Sequence, residues 1–113
     1  MEPKELLKQA HEAGYAAGLA AAPEPMTVVG EQEEYYVPDG ICGFAWVNIK
    51  PARGKLVTYL KKQGIGHKSY YGGYDIWVSD HNQSYDRKMA HAYAMAEVLK
   101  ENGVNASPQG RVD

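Results

Sequence analysis

Cysteine is nearly absent: Cys42 stands alone among 113 residues. The chain can form no intramolecular disulfide and no cysteine-based zinc site, so a reducing compartment is expected, with this thiol acting as a small apolar residue. Neither charge is in large excess. A formal net charge of −2 and a pI near 6.1 argue against a general polyanion binder, although a local basic patch is compatible with them. No apolar run approaches the roughly 20 residues of a membrane span. The opening Met1-Glu2-Pro3-Lys4-Glu5 lacks the charged-then-apolar layout of a secretory signal, so a cytoplasmic protein without membrane contact is expected. Catalytic signatures are missing as well. There is no GxSxG, P-loop or Rossmann fingerprint, and His11, His67, His81 and His91 show neither His-x-x-x-His nor HExxH spacing. Spacing thus predicts no metal and no cofactor, and an enzyme is the minority reading.

What the chain does have is one aromatic stretch, His67 to His81, in which Gly72-Gly73 separates two runs rich in Tyr, Ile, Trp and Val. A two-residue Gly-Gly loop suits a primed turn, because both central residues need positive φ. Counting outward, Tyr71 faces Tyr74, Tyr70 faces Asp75, Ser69 faces Ile76, Lys68 faces Trp77 and His67 faces Val78. Period-two alternation then puts Tyr71, Tyr74, Ile76 and Val78 on the core side, and Lys68, Tyr70, Asp75, Trp77 and Ser79 on the other.

The length suits one domain with a single core of modest size. Residues 1–22 read as an Ala-rich helix with a small-residue face at Gly14 and Gly18, ended by Pro23 and Pro25. Residues 23–40 read as a connector with at most one short edge strand, and Glu31, Glu33 and Glu34 give it an acidic run that is most simply solvated surface. Residues 41–113 hold the core. Ile41 to Lys50 alternates as a strand, with Ile41, Gly43, Ala45, Val47 and Ile49 inward and Cys42, Phe44, Trp46, Asn48 and Lys50 outward. A helix from Pro51 to Gly64 would bury Leu56, Val57 and Leu60. A second, from about Tyr85 to Asn102, carries the stripe Met89, Ala92, Met95, Ala96 and Leu99. Val104 to Ala106 is the last candidate strand, limited by Pro108.

The order from Ile41 predicts an α+β fold: a ferredoxin-like βαββαβ sheet with two helices on one face, preceded by an extra N-terminal helix. The first and third strands then lie side by side, which brings Trp46 beside Trp77. The candidate binding surface is the sheet face away from the helices: Phe44, Trp46, Asn48, Lys68, Tyr70, Asp75, Trp77 and Ser79. Two readings compete for it. Either the N-terminal helix covers it as a second core, or it is open and binds a protein or single-stranded nucleic acid, since bases stack on exposed rings. Arg53, Lys55, Lys61, Lys62 and Lys68 add a basic cluster, most simply solubilising. Asp80-His81 could form an acid–base pair with Asp75, Tyr70 or Tyr93 as companions, although a capping loop explains the same residues.

Three segments together, Gly43-Phe44-Ala45-Trp46-Val47-Asn48-Ile49-Lys50-Pro51, Tyr70-Tyr71-Gly72-Gly73-Tyr74-Asp75-Ile76-Trp77-Val78 and Gly110-Arg111-Val112-Asp113, resemble a group of short uncharacterised proteins encoded by tailed bacteriophages. The resemblance runs from about Asp39 to the end and transfers no catalytic residue. It implies a context: a bacterial host cytoplasm and action on a host or phage macromolecule. The leading expectation is a small non-enzymatic binding module for a protein partner, as an inhibitor of host machinery or an assembly aid, with a homodimer also open. Single-stranded nucleic-acid binding is the alternative.

Overall fold

The computed structural model describes residues 1–23, 26–29, 34–37 and 40–113. Helix α1 (Pro3–Ala20) starts on a proline, whose missing N–H falls where no intrahelical partner exists. It buries Leu6, Ala10, Gly14 and Gly18, a single i, i+4 stripe. Strands β1 (Met26–Val29) and β2 (Glu34–Val37) pair antiparallel, with Met26 opposite Val37 and Val29 opposite Glu34. The connector therefore holds a hairpin rather than at most one strand. Glu31 and Glu33 of its acidic run lie outside the described residues.

Strand β3 (Gly43–Ile49) follows the alternation. Ala45 and Val47 are fully buried and Ile49 nearly so, while Ile41, ahead of the strand, is exposed. Helix α2 (Lys55–Gln63) begins four residues after Pro51, because Arg53 N–H donates to the Pro51 carbonyl in a tight turn and Gly54 becomes the N-cap. Leu56, Val57 and Leu60 are buried as expected, and Gly64 ends the helix in the left-handed conformation.

Strands β4 (His67–Lys68) and β5 (Tyr74–Trp77) form the aromatic hairpin in a register different from the expected one. Lys68 faces Tyr74 and His67 faces Asp75. Ser69 and Gly73 close the loop, leaving Tyr70-Tyr71-Gly72 at its tip. Gly72 N–H donates to the Ser69 carbonyl, and the Ser69 hydroxyl accepts from Tyr71 N–H. A serine opening the turn and a positive-φ Gly72 following it favour a three-residue loop over the Gly-Gly loop. Tyr71 consequently stands in solvent rather than in the core.

Helix α3 (Tyr85–Glu101) is capped by the Ser84 hydroxyl, which accepts from Arg87 N–H. Strand β6 (Ala106–Val112) runs well past Pro108 and pairs with β3 over its whole length, from Ala106 opposite Ile49 to Val112 opposite Gly43. Pro108 is tolerated because β6 is an edge strand, where only alternate residues donate into the ladder.

The result is a mixed α+β protein with three helices and a four-stranded antiparallel sheet in the order β4-β5-β3-β6. Trp46 lies opposite Trp77. One core joins Val47, Ile49, Leu56, Val57, Leu60, Tyr74, Ile76, Ala92, Met95 and Leu99, with Leu6 and Ala10 reaching it from α1. Leu60 and Leu99 are fully buried, each worth roughly 1.5–3 kcal/mol of transfer free energy. Helix α1 packs along α3. Arg87 fastens its end there, donating to the Gly18 and Leu19 carbonyls at 2.9 and 2.8 Å, acceptors that a helix C-terminus otherwise leaves without a partner. No helix of the described residues is long and apolar enough to cross a membrane.

Candidate functional site

With α1 lying along α3, the reading in which it covers the tryptophans is overturned. The groove on the far side of the sheet, about 170 Å³, is lined by Trp46, His67, Tyr70, Tyr71, Trp77 and Arg111 among others, all from the sheet and its hairpin. Trp46 and Trp77 stack with ring centroids 4.7 Å apart and planes 15° from parallel. Phe44 meets Trp77 at 5.8 Å and His67 approaches its ring at 6.2 Å. Trp46 Nε1–H donates to the Gln109 side-chain oxygen at 3.0 Å, which fixes the indole from the β6 side. Trp77 is 38% exposed, and Tyr70 and Tyr71 are 92% and 86% exposed. Two cations flank Phe44: the Arg111 guanidinium 5.2 Å from its ring centre and Lys88 Nζ at 5.7 Å.

The eight expected residues do not all stay together. Phe44, Trp46 and Trp77 form the contiguous aromatic patch, with Tyr70 of the hairpin tip lining the same groove. Lys68, paired opposite the buried Tyr74, is turned to the other face of the sheet, and His67, paired opposite Asp75, lines the groove in its place. Asn48 and Asp75 are each 5% exposed and serve the fold: Asn48 Nδ2 donates to Asp75 Oδ1 at 2.8 Å and to the Gly72 carbonyl at 3.0 Å, tying the turn to the sheet. Ser79 lies past the end of β5 and lines a different cavity. Sequence reasoning missed His67, Tyr71, Gln109 and Arg111. The expected hairpin register turns His67 and Tyr71 toward the core, and a last strand limited by Pro108 leaves out Gln109 and Arg111, which lie opposite Trp46 and Phe44.

The histidines, set aside on spacing, meet in space. His81 Nε2 lies 3.0 Å from His91 Nδ1 and His11 Nε2 lies 3.9 Å from Asp80 Oδ2. Tyr15 stacks on His81 at 5.4 Å. Burial, then the neighbouring His11 and His81, lowers the His91 pKa to about 4, against the pull of Asp80. Burial also lowers that of His81. Both rings are therefore neutral near pH 7. The expected companions of Asp80 and His81 are engaged elsewhere: Asp75 with Asn48, Tyr70 with Tyr71, and Tyr93 exposed on α3.

The chain matches no protein family, no curated protein and no solved structure.

Proposed function

We propose that this chain is a small protein-binding module whose contact surface is the patch formed by Phe44, Trp46, Trp77, Tyr70, Tyr71 and Arg111. The stacked tryptophan pair carries the proposal. Aromatic residues and arginine dominate the energetics of protein interfaces, because a large rigid ring gains much contact for little lost rotamer freedom. Here they gather on an open face instead of in the core. The partner that suits it has an apolar centre facing the indoles and an acidic group facing Arg111.

The pair's own geometry favours a protein over single-stranded nucleic acid. A base-stacking platform offers ring faces to the ligand. At 4.7 Å and 15° the two indoles spend one face each on the other, so the patch offers fewer free faces than such a platform. The strand order β4-β5-β3-β6 supports assigning the core to the ferredoxin-like class. The resemblance to short bacteriophage proteins supports a host or phage protein as partner, in a bacterial cytoplasm.

The test uses the tagless full chain immobilised through added surface biotin, beside a Tyr70→Ser/Tyr71→Ser double variant that leaves the fold intact. A bacterial protein retained by the parent chain and lost from the variant supports the reading. Salt-sensitive quenching of tryptophan emission by a mixed-sequence DNA 20-mer, with no such protein, replaces it with the nucleic-acid reading.

A further inference from the structure

We propose that His11, Asp80 and His91 form a binding site for one divalent ion of the zinc class, with an exchangeable coordination position facing a cavity. One ring nitrogen of each histidine and one Asp80 oxygen all lie within 4.8 Å of one another. Three points so spaced have a common centre no farther than about 2.8 Å from each (4.8 Å divided by the square root of three). Zinc bonds to such ligands are about 2.0–2.2 Å long, so each side chain need move by less than about 1 Å. Two imidazoles and one carboxylate select a first-row transition ion over calcium or magnesium, which prefer all-oxygen shells.

The surrounding residues hold these groups in place. His91 is 2% exposed, and its ring is fixed by the contact with His81, the kind of ring partner that orients a ligating histidine. Two glycines in α1 seat the imidazoles. A Cβ at Gly14 would come within 2.5 Å of His91 Cδ2, and one at Gly18 within 2.2 Å of His81 Nε2. Each glycine inside a helix costs about 1 kcal/mol relative to alanine, and close approach of these two rings is what the pair of them permits.

The site also has access. His11, Asp80 and His91 lie in the wall of a cavity of roughly 370 Å³, beside Leu7, Ile76 and Met95, with Lys4 and Lys8 also lining it. Three protein ligands leave a fourth position for water or a ligand group, the arrangement of open rather than structural zinc sites. Lysines at the mouth favour an anionic group there.

The three ligands come from α1, the β5–α3 loop and α3, so an ion would fasten the N-terminal helix to the core. The test titrates Zn²⁺ and Co²⁺ into the chelator-treated, tagless full chain by calorimetry, with Co²⁺ visible absorption and thermal unfolding as further readouts. One ion per chain is expected, with a cobalt spectrum of four- or five-coordinate intensity and a raised unfolding midpoint. His11→Ala and Asp80→Asn change exposed or half-exposed side chains, so their folds persist, and each should weaken binding at least tenfold. His67→Ala, outside the cluster, should not. Equal affinity in the parent, His11→Ala and Asp80→Asn chains would overturn the site, as would no binding to the parent.

Discussion

Asn48 donates to the Asp75 carboxylate at 2.8 Å and, through the same nitrogen, to the Gly72 carbonyl at 3.0 Å. One amide thus serves a buried charge on β5 and the backbone of the tyrosine-bearing turn. Asn48→Ala leaves both acceptors without this donor. A hydrogen bond to a charged group is worth roughly 1.5–3 kcal/mol, so urea unfolding should show a loss of about that size. Asn48→Asp should lose more, by placing two carboxylates together. A change below about 0.5 kcal/mol for Asn48→Ala would show that the turn does not depend on this contact.

Gly14→Ala and Gly18→Ala should invert the usual rule that alanine stabilises a helix. At Gly14 the added methyl meets the His91 ring at 2.5 Å and the His91 backbone oxygen at 2.9 Å, and backbone cannot step aside. Overpacking of this kind costs typically 1–3 kcal/mol. At Gly18 the nearest obstacle is the ring end of His81, a side chain that can rotate where backbone cannot, so its loss should be the smaller. The order of the two denaturation midpoints is the measurement, and a stabilised Gly14→Ala chain contradicts the packing of α1 on α3.

Acid should weaken the chelator-treated protein through His91. Its folded pKa is about 4, below the ordinary 6.5, because burial and then the neighbouring His11 and His81 disfavour the charged ring, against the pull of Asp80. Between those values the unfolded chain takes up a proton that the folded chain refuses. Stability is whole above about pH 6.5 and falls as the pH drops toward 4, by an amount on the order of 3 kcal/mol from this group. Urea midpoints from pH 7.5 to 4.5 test it. The slope should flatten in His91→Gln, and an unchanged slope would assign the acid sensitivity to the carboxylates.

The hairpin tip separates binding from folding. Tyr70→Ser and Tyr71→Ser alter side chains that stand almost wholly in solvent, so each should shift stability by less than about 0.5 kcal/mol. Trp46→Ala removes a stacked ring and the hydrogen bond to Gln109 and should cost about 1–3 kcal/mol. Equal losses for the tyrosines and Trp46 would mean that the tip is packed.

Patterned burial was legible in the chain. The inward residues of β3, the buried triad of α2 and the stripe of α3 follow from periods of 2 and 3.6, and the neighbouring of Trp46 and Trp77 follows from the order of elements. What pattern could not reach was turn chemistry and distance in sequence. Gly72-Gly73 looks like a two-residue loop opened by Tyr71, yet Ser69 opens the turn two positions earlier and Gly73 closes it, which moves the pairing of every residue in β4 and exchanges its two faces. Lys88 is no part of the stripe Met89, Ala92, Met95, Ala96 and Leu99, yet it is buried, with its ammonium over the Phe44 ring. His11 and His91 stand far apart in the chain, so no spacing rule within one element could find them. They meet because glycines let α1 lie close on α3.

The hairpin's short reach has one more effect. Because β4 ends its pairing at Tyr74 and Asp75, no strand of the described residues covers the outer edge of β5 from Ile76 onward, and the cavity beside His11 and Asp80 opens there. Trp77 stands at that boundary, a wall of both this cavity and the aromatic groove. It is also one of only two tryptophans, stacked on the other. Nearly all the ultraviolet emission of the chain therefore comes from one indole pair touching both compartments. A partner seated on the groove and a cobalt ion in the cavity would each be read, without a label, in the same optical signal.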